Sequence, residues 1–201
     1  YGSHLWDPWA KAAEEKLGYK NGELGPVYGH QLRSFNGRVD QLTQVIGMLT
    51  REPQTRRAMI SFWNLQDVET PEGQHIVDVA PCIATLHFAQ VDGKLDLIMT
   101  QRSADIPIGV PNDVAEWAHF LRLVAKEVNM PPGDFVHNLD DAHIYEDQIP
   151  AMRELLKRKP KPRPTVTIQD SPSGTIYDHR VEDFQLDNYQ PHPAIKIPVA
   201  L

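Results

Sequence analysis

The chain contains a single cysteine, Cys82, which follows a proline at the start of an apolar run. A thiolate is a strong nucleophile, and a nearby guanidinium favours it by lowering the pKa of the thiol. Arg102 is a candidate partner, because a predicted hairpin brings the two residues to the same end of a sheet. Cys82 is therefore a candidate nucleophile. The alternative is a small core residue, since free cysteine is among the most buried residue types.

Three consecutive residues after the second strand of that hairpin are suited to binding an anion. Gln101, Arg102 and Ser103 combine an amide, a guanidinium fork and a hydroxyl, which together match a phosphate or a carboxylate. Arg56 and Arg57 add two further guanidinium groups. We expect a small anion site, with a solvated strand end and surface arginines as the alternative.

Carboxylates at the start of a predicted helix and in residues 140–145 could have either a structural or a chemical role. Asp113 and Glu116 form the Asp-x-x-Glu pattern of a capping box at the start of a predicted helix. If Asn112 caps the helix instead, Asp113 is free to face a ligand. Residues 140–145 bring together two carboxylates, an imidazole and a phenol, but their spacing matches no standard zinc or calcium loop. No metal is predicted.

The elements that position these residues follow from hydrophobic periodicity and turn signals. The pattern predicts strands over residues 82–91 and 94–100, joined by Asp92-Gly93, which tolerates the positive φ angles of a tight turn. Both runs are apolar at nearly every position, which indicates a sheet covered on both faces. The remaining elements are predicted as helices from residue 40 to about 53, over 112–129 and through 152–156, strands over 58–63 and 166–168, and loops over 22–29 and 65–74.

Composition bounds the class of protein. The 201 residues, 41% of them hydrophobic, predict one folded domain over residues 1–201. Twenty basic against 27 acidic residues give a net charge of -7, which argues against partners that are nucleic-acid polymers or anionic membranes. No stretch is apolar for the ~18 residues of a membrane span, and the start of the chain lacks a signal-peptide pattern. A cytoplasmic location is expected.

Taken in order, the candidate residues resemble the thymidylate synthase superfamily over residues 6–201. The motifs that carry the resemblance are residues 23–29 (ELGPVYG), Arg56-Arg57, Pro81-Cys82, residues 101–103 (QRS), 133–136 (GDFV), 141–145 (DAHIY), 182–184 (EDF) and 191–193 (PHP). The resemblance implies an α/β (α+β) fold, a single domain with a mixed β-sheet covered by long helices, and a homodimer. It also implies metal-free transfer of a one-carbon unit from 5,10-methylenetetrahydrofolate to C5 of a pyrimidine nucleoside 5'-monophosphate.

The same resemblance implies roles for individual residues. Cys82 would add to C6 of the pyrimidine, and Tyr28 would assist removal of the proton from C5. Arg102 and Ser103, beside Gln101, would hold the phosphate. The other implied roles are phosphate binding across the dimer interface by Arg56 and Arg57, sugar binding by His143 and Tyr145, base binding by Asp113, and contact with the folate by Trp6, Trp9, Asp105, Gly109 and Leu201.

Two departures from the family pattern bear on the substrate. Asp113 stands where the family usually has Asn, and a carboxylate accepts from the cytosine amino group and from N3 once it is protonated. Ile83 replaces the His that normally follows the catalytic Cys, on the side where the C4 substituent would lie. The relatives with Asp at this position are cytidylate hydroxymethylases, so we expect 5-hydroxymethylation of CMP or dCMP.

The alternatives are a thymidylate synthase acting on dUMP, which follows if Asn112 takes the recognition position, and a catalytically inactive nucleotide-binding dimer. The family's N-terminal segment, with a phosphate-binding Arg loop and a Glu that orders active-site water, has no counterpart before Tyr1. Because the chain begins without Met, we expect further residues upstream.

Overall fold

The fold is described from a computed structural model over residues 4–199. The helices are α1 (Asp7–Leu17), α2 (Tyr28–Ser34), α3 (Gln41–Arg51), α4 (Leu65–Val68), α5 (Gly109–Glu127) and α6 (Ile149–Leu155). The strands are β1 (Met59–Ser61), β2 (Ile83–Val91), β3 (Lys94–Asp105), β4 (Pro132–His143), β5 (Thr165–Ile168) and β6 (Phe184–Asp187). Short 3-10 turns cover Glu146–Gln148, Ile176–Asp178 and Val181–Asp183.

The main sheet has the order β1-β2-β3-β4 and is mixed. β1 and β3 each pair antiparallel with β2, whereas β4 runs parallel to β3. β5 and β6 form a separate antiparallel pair. The predicted single-domain α/β fold with a mixed sheet is confirmed.

The hairpin between β2 and β3 forms at the predicted dipeptide. Asp92 and Gly93 have φ angles of 48° and 79°, the two positive values that a type I′ turn requires. β3 continues to Asp105 rather than ending at residue 100, so residues 101–103 lie inside the strand. The strand therefore extends along the site instead of ending before it.

The core lies on one face of the main sheet, which packs against α3 and α5. Its members are Leu42, Val45, Leu49, Ala58, Ile60, Phe62, Ile83, Leu86, Phe88, Leu95, Leu97, Met99, Trp117, Leu121, Val124 and Ala125. The opposite face, which we call the open face, includes Met59, His87, Ile98 and Val136, which lie across from one another on the four strands. Met59 is 50% exposed and Val136 42%. The expectation of a sheet covered on both faces is therefore wrong for the single chain.

α5 begins earlier than predicted, at Gly109, and its N-cap residue Ile108 makes no side-chain capping bond. Asp113 consequently lies inside the helix, and the capping-box interpretation of Asp113 and Glu116 is wrong. Trp117 and Leu121 are buried as predicted, while Val114 is 41% exposed. The short β1 also differs from the prediction, α2 starts at Tyr28 within the predicted loop, and the short helix α4 lies in a second predicted loop. The sequence did not predict α1, β4 or β6. Within residues 4–199 no helix has the length and apolar character to cross a membrane.

Candidate active site

The hairpin brings Cys82 and Arg102 together. The backbone N–H of Arg102 donates to the carbonyl of Cys82 at 2.8 Å. The Arg102 guanidinium donates to the carbonyls of Pro81 at 2.9 Å and Ala80 at 2.8 Å, and it lies 5.0 Å from the centroid of the Trp63 ring. The loop that ends at Cys82 and the side chain of Arg102 are thereby fixed to each other.

The groups around the Cys82 thiol shift its pKa in opposite directions. Burial of the half-buried side chain raises its pKa, the Arg102 charge lowers it, and the carboxylate of Asp113 raises it. Burial prevails, so the pKa is raised. Arg102 has the predicted effect, but the expectation that it would give a net lowering is corrected by the burial of the thiol.

Tyr28 lies against the backbone of the same residue. Its hydroxyl oxygen accepts from the N–H of Cys82 at 2.7 Å and from the N–H of Ile83 at 3.3 Å. Burial, followed by the neighbouring Cys82, raises the Tyr28 pKa. The phenol therefore stays protonated near neutral pH, and with its oxygen occupied by two donors it keeps its own hydrogen to donate.

Asp113 faces the strand rather than the end of its helix. Its Oδ2 accepts from Nε2 of Gln101 at 2.9 Å. Asn112 turns away, because its side-chain amide donates to the carbonyl of Ile108 at 2.7 Å. Burial raises the Asp113 pKa and the Gln101 bond lowers it, with a net rise. Asp113, and not Asn112, is the residue that the structure places beside Cys82.

Ile83 lies in the core and is 1% exposed. It supplies no polar group to the site, and its side chain packs among core residues. Of the two departures from the family pattern, only Asp113 presents a polar group that could contact a base.

The predicted phosphate ligands fall into two groups. Gln101, Arg102 and Ser103 are adjacent on β3, and the Ser103 carbonyl accepts from Nε2 of Gln101 at 3.0 Å. Arg56 and Arg57 are exposed, precede the edge strand β1, and form no ion pair within residues 4–199. They do not belong to the charged groups that shift the Cys82 pKa. The single chain thus assembles one group beside Cys82 and leaves the other pair facing outward.

The predicted sugar and folate residues lie around the ends of β3 and β4. His143 pairs with Asp105 in the parallel register, and its ring is 5.0 Å from that of Tyr145. A Cβ on Gly109 would lie 3.6 Å from Cβ of Asp105 and 3.8 Å from Oδ2 of Asp113, so this glycine separates the two carboxylates. At the start of α1, the rings of the N-cap residue Trp6 and of Trp9 have centroids 5.0 Å apart. Leu201 is outside the described residues.

Gln148 is a site residue that the sequence did not reveal. It is fully buried, and its Nε2 donates to Oδ2 of Asp105 at 3.3 Å and to the carbonyl of Pro198 at 3.1 Å. Its Oε1 accepts from the N–H of Tyr145 at 3.0 Å. The other oxygen of Asp105, Oδ1, is buried without a hydrogen-bond partner in the described part of the chain. A lone Gln in a polar stretch carries no signal of this role.

Neither a metal centre nor a signature of one appears in the described part of the chain, where no group of three or more His, Cys, Asp or Glu side chains is arranged to hold an ion. The site is instead built from one thiol, one guanidinium, one phenol and two carboxylates. Such a set can perform nucleophilic addition to a bound ring and proton transfer.

Comparison with known proteins agrees with this arrangement. The family model for thymidylate synthase matches residues 1–201. Among solved structures, the crystal structure of thymidylate synthase from T4 phage is similar, with a TM-score of 0.85 and 34% sequence identity, over 100% of this chain and 72% of that chain. The fold, the site and a family match over the full sequence lead to one conclusion: the chain belongs to the thymidylate synthase family.

Proposed function

We propose that the protein is a folate-dependent cytidylate 5-hydroxymethylase. The family transfers a one-carbon unit to C5 of a pyrimidine nucleotide; the cytosine base and the hydroxymethyl product are the proposal. The observation that carries it is the ionisable carboxylate of Asp113, hydrogen-bonded to Gln101 at 2.9 Å beside Cys82. The N-cap interpretation, which would have given Asp113 a structural role, is excluded by the start of α5.

The hydrogen-bonding pattern of the base supports the choice. An ionised carboxylate only accepts, whereas O4 and N3–H of uracil present one acceptor and one donor. Cytosine presents its amino group as a donor at C4, and its N3 becomes a second donor when protonated. The Asp113 carboxylate can therefore accept a hydrogen bond at both positions of cytosine, whereas with uracil it would face O4, which is also an acceptor.

The chemical steps follow from the residues around Cys82. The thiolate adds to C6 of the ring, and the electron pair released to C5 forms the new bond to the one-carbon unit. 5,10-Methylenetetrahydrofolate supplies that unit as co-substrate. A water molecule that is hydrogen-bonded to the Tyr28 hydroxyl takes the C5 proton, and the electron pair of the broken C–H bond expels tetrahydrofolate, which leaves an exocyclic methylene on a ring that still carries Cys82 at C6. Water then adds to this methylene, and expulsion of Cys82 restores the C5–C6 double bond, so that nucleotide, methylenetetrahydrofolate and water give hydroxymethyl nucleotide and tetrahydrofolate.

The co-substrate is proposed to bind on the side of Asp105. Oδ1 of this carboxylate is a buried acceptor without a partner in residues 4–199, and a pterin offers N–H donors that would satisfy it. Gly109 keeps the space beside Asp105 free of a side chain. Trp6 and Trp9 supply aromatic surface, and Gln148 ties Asp105 to Pro198, three positions before Leu201.

The nucleotide is proposed to bind with its phosphate at Arg102 and Ser103 and its sugar hydroxyl at His143 and Tyr145. Arg56 and Arg57 complete the phosphate site of a second subunit in a homodimer. Their outward position in the single chain supports this arrangement. So does the open face of the sheet, whose exposed apolar side chains would be covered by a second copy. Residues 1–201 form the catalytic domain of this proposal.

The second candidate is a thymidylate synthase. It is favoured by the similarity to the T4 phage enzyme, at 34% identity over the whole chain. This reaction uses dUMP and oxidises the folate to dihydrofolate, which hydroxymethylation does not.

Incubation with methylenetetrahydrofolate and each of CMP, dCMP and dUMP separates the candidates. The proposal expects a mass increase from an added CH₂O group on a cytidylate, with no rise in dihydrofolate absorbance. Formation of dTMP alone, with stoichiometric dihydrofolate, would overturn it. Comparing CMP with dCMP in the same assay decides which sugar is accepted.

A further inference from the structure

His137 lies on β4 and is connected through hydrogen bonds to Asp113, the carboxylate proposed to bind the base. Its Nε2 is 2.7 Å from Oε1 of Gln101, although 36 residues separate the two along the chain. Gln101 is 1% exposed and hydrogen-bonds in turn to Asp113. The three side chains form one hydrogen-bonded row from β4 through β3 to α5.

The chemistry of the row fixes the direction of every bond in it. Nε2 of Gln101 meets the carbonyl oxygen of Ser103 at 3.0 Å and Oδ2 of Asp113 at 2.9 Å, and both of these atoms only accept. The amide nitrogen must therefore face them, and the amide oxygen must face His137. A donor is then required on His137, so its Nε2 carries the hydrogen. Burial lowers the His137 pKa, which favours the neutral ring with one such hydrogen.

This hydrogen-bonded row stabilises the ionised form of the Asp113 carboxyl. Burial raises the pKa of the carboxyl, and the Gln101 amide is the group that lowers it. The acidic groups around Asp113 are Cys82, Tyr28 on α2, Glu116 on the same helix and, on the other side of Gly109, Asp105 on β3. A negative charge on any of them opposes a negative charge on Asp113. No basic side chain of residues 4–199 lowers the Asp113 pKa. The orientation of one amide is therefore decisive.

We infer that His137 is a positioning residue for substrate choice: through the amide of Gln101 it holds the carboxylate of Asp113 towards the cytosine edge. The inference rests on the proposed function. Loss of the His137 donor frees the Gln101 oxygen from its partner, so that the amide no longer has one fixed orientation. Donation to Asp113 then weakens, and the carboxylate is less well aligned and less readily ionised.

The first test measures the Asp113 carboxyl without any substrate. In protein labelled with ¹³C at aspartate side chains, the Asp113 resonance is identified by its absence in Asp113→Asn. We expect His137→Phe to raise the pKa of this carboxyl, because a hydrogen bond to the charged form is weakened. His137→Gln, which restores an N–H donor, should return it towards the wild-type value. An unchanged titration in His137→Phe overturns the inference.

The second test measures turnover. His137→Phe should lower kcat/KM for the cytidylate roughly tenfold and move the acid limb of its pH profile to higher pH, the size expected when a hydrogen bond to a charged group is weakened. His137→Gln should recover most of the loss. Asp92→Asn, at the exposed turn between β2 and β3 and therefore at the far end of β3 from the site, is the control and should behave as wild type. If kcat/KM falls equally in His137→Phe and His137→Gln and the acid limb does not move, the effect is one of packing alone and the inference is overturned.

His137→Leu replaces His137→Phe in both tests if thermal unfolding shows that the larger ring disturbs the fold. The two proposals fail separately. A wild-type enzyme that acts on dUMP alone refutes the proposed cytidylate activity, while the Asp113 titration still decides whether His137 acts on this carboxyl.

Discussion

The two carboxylates on either side of Gly109 are held in opposite ways. Asp113 receives a hydrogen bond from the buried amide of Gln101, which is itself held by His137. Asp105 has only a 3.3 Å contact to Gln148 through one oxygen, and its other oxygen is buried without a partner in residues 4–199. The side proposed to bind the nucleotide is thus preorganised by the chain, whereas the side proposed to bind the folate retains an acceptor for a ligand to satisfy.

We expect the largest effect from substitution of Cys82, the nucleophile of the proposed reaction. Cys82→Ala should lower release of the C5 hydrogen by at least about 10³-fold, because covalent activation of the ring is lost while both binding sides remain. Tritium release from a cytidylate labelled at C5 measures this step. Nucleotide affinity by calorimetry serves as the control and should persist. Release at the wild-type rate would refute Cys82 as the nucleophile.

Asp113→Asn tests the preorganised side. We expect a loss of roughly 10²-fold in kcat/KM for the cytidylate and a gain for dUMP, because the amide can donate to O4 and accept from N3–H. Competition between the two nucleotides in one reaction measures the preference directly. Glu116→Gln removes a carboxylate one turn further along α5 and should leave the preference unchanged. A preference equally unchanged in Asp113→Asn would contradict the assignment.

The pH dependence separates Asp113 from Cys82. Turnover of the cytidylate should fall as pH decreases through the Asp113 pKa, which burial raises above the ordinary aspartate value of 3.8. It should rise with increasing pH towards the Cys82 pKa, which burial raises above the ordinary 9.0, by up to about tenfold per pH unit. Measured kcat/KM profiles should lose the acid limb in Asp113→Asn and retain the alkaline rise. Retention of the same acid limb would assign it to another group.

Asp105→Ala tests the side that is not preorganised. Removal of the unpartnered acceptor should raise the KM for methylenetetrahydrofolate roughly tenfold, the cost of losing a hydrogen bond between a charged acceptor and a ligand. Nucleotide affinity should be unaffected, since Asp113 remains in place. Asp96→Asn, at the other end of β3, keeps an oxygen for the N–H of Asp134 and is the matched control. Equal losses for folate and nucleotide would argue against a folate role for Asp105.

The contrast between the two sides also explains what the sequence reveals. The Asp92-Gly93 turn is a local signal, so the hairpin that joins Cys82 to Arg102 is predictable from adjacent residues. The order of motifs likewise singles out Cys82, Arg102 and Asp113 as candidate site residues. The hydrogen bonds that hold the carboxylates are not local: 36 residues separate His137 from Gln101 and 43 separate Gln148 from Asp105.

The sequence does not predict β4 and α1, for a related reason. β4 alternates exposed and half-buried positions and carries Gly, Asp, Asn and His, so it lacks the apolar run that marks a buried strand. Its place is fixed by parallel pairing with β3, which depends on the whole fold. α1 has a single buried residue, Ala13, and gives a correspondingly weak periodic signal. The sequence thus predicts the chemical groups better than the contacts that orient them.

A third carboxylate, Asp40, offers the smallest expected effect and a reference for the other two. It caps α3 by accepting from the N–H of Thr43 at 3.0 Å and it pairs with Arg33 at 2.9 Å. Partial burial alone would raise its pKa, but Thr43 and Arg33 hold the pKa below the ordinary value. Its stabilising effect is therefore present above the ordinary aspartate pKa and is lost as pH falls through the lowered one.

Asp40→Ala should lower the free energy of unfolding near pH 7 by about 1 kcal/mol, the usual cost of an N-cap, and Asp40→Asn should retain most of it. Urea unfolding at pH 7 and at a pH below the lowered Asp40 pKa measures both values, and the difference between wild type and Asp40→Ala should shrink at the lower pH. The kcat/KM at pH 7 should stay at the wild-type level, because Asp40 contacts neither side of the site. A loss of substrate discrimination in Asp40→Ala would show that α3 contributes to positioning Asp113, and the contrast between structural and recognition carboxylates would then have to be withdrawn.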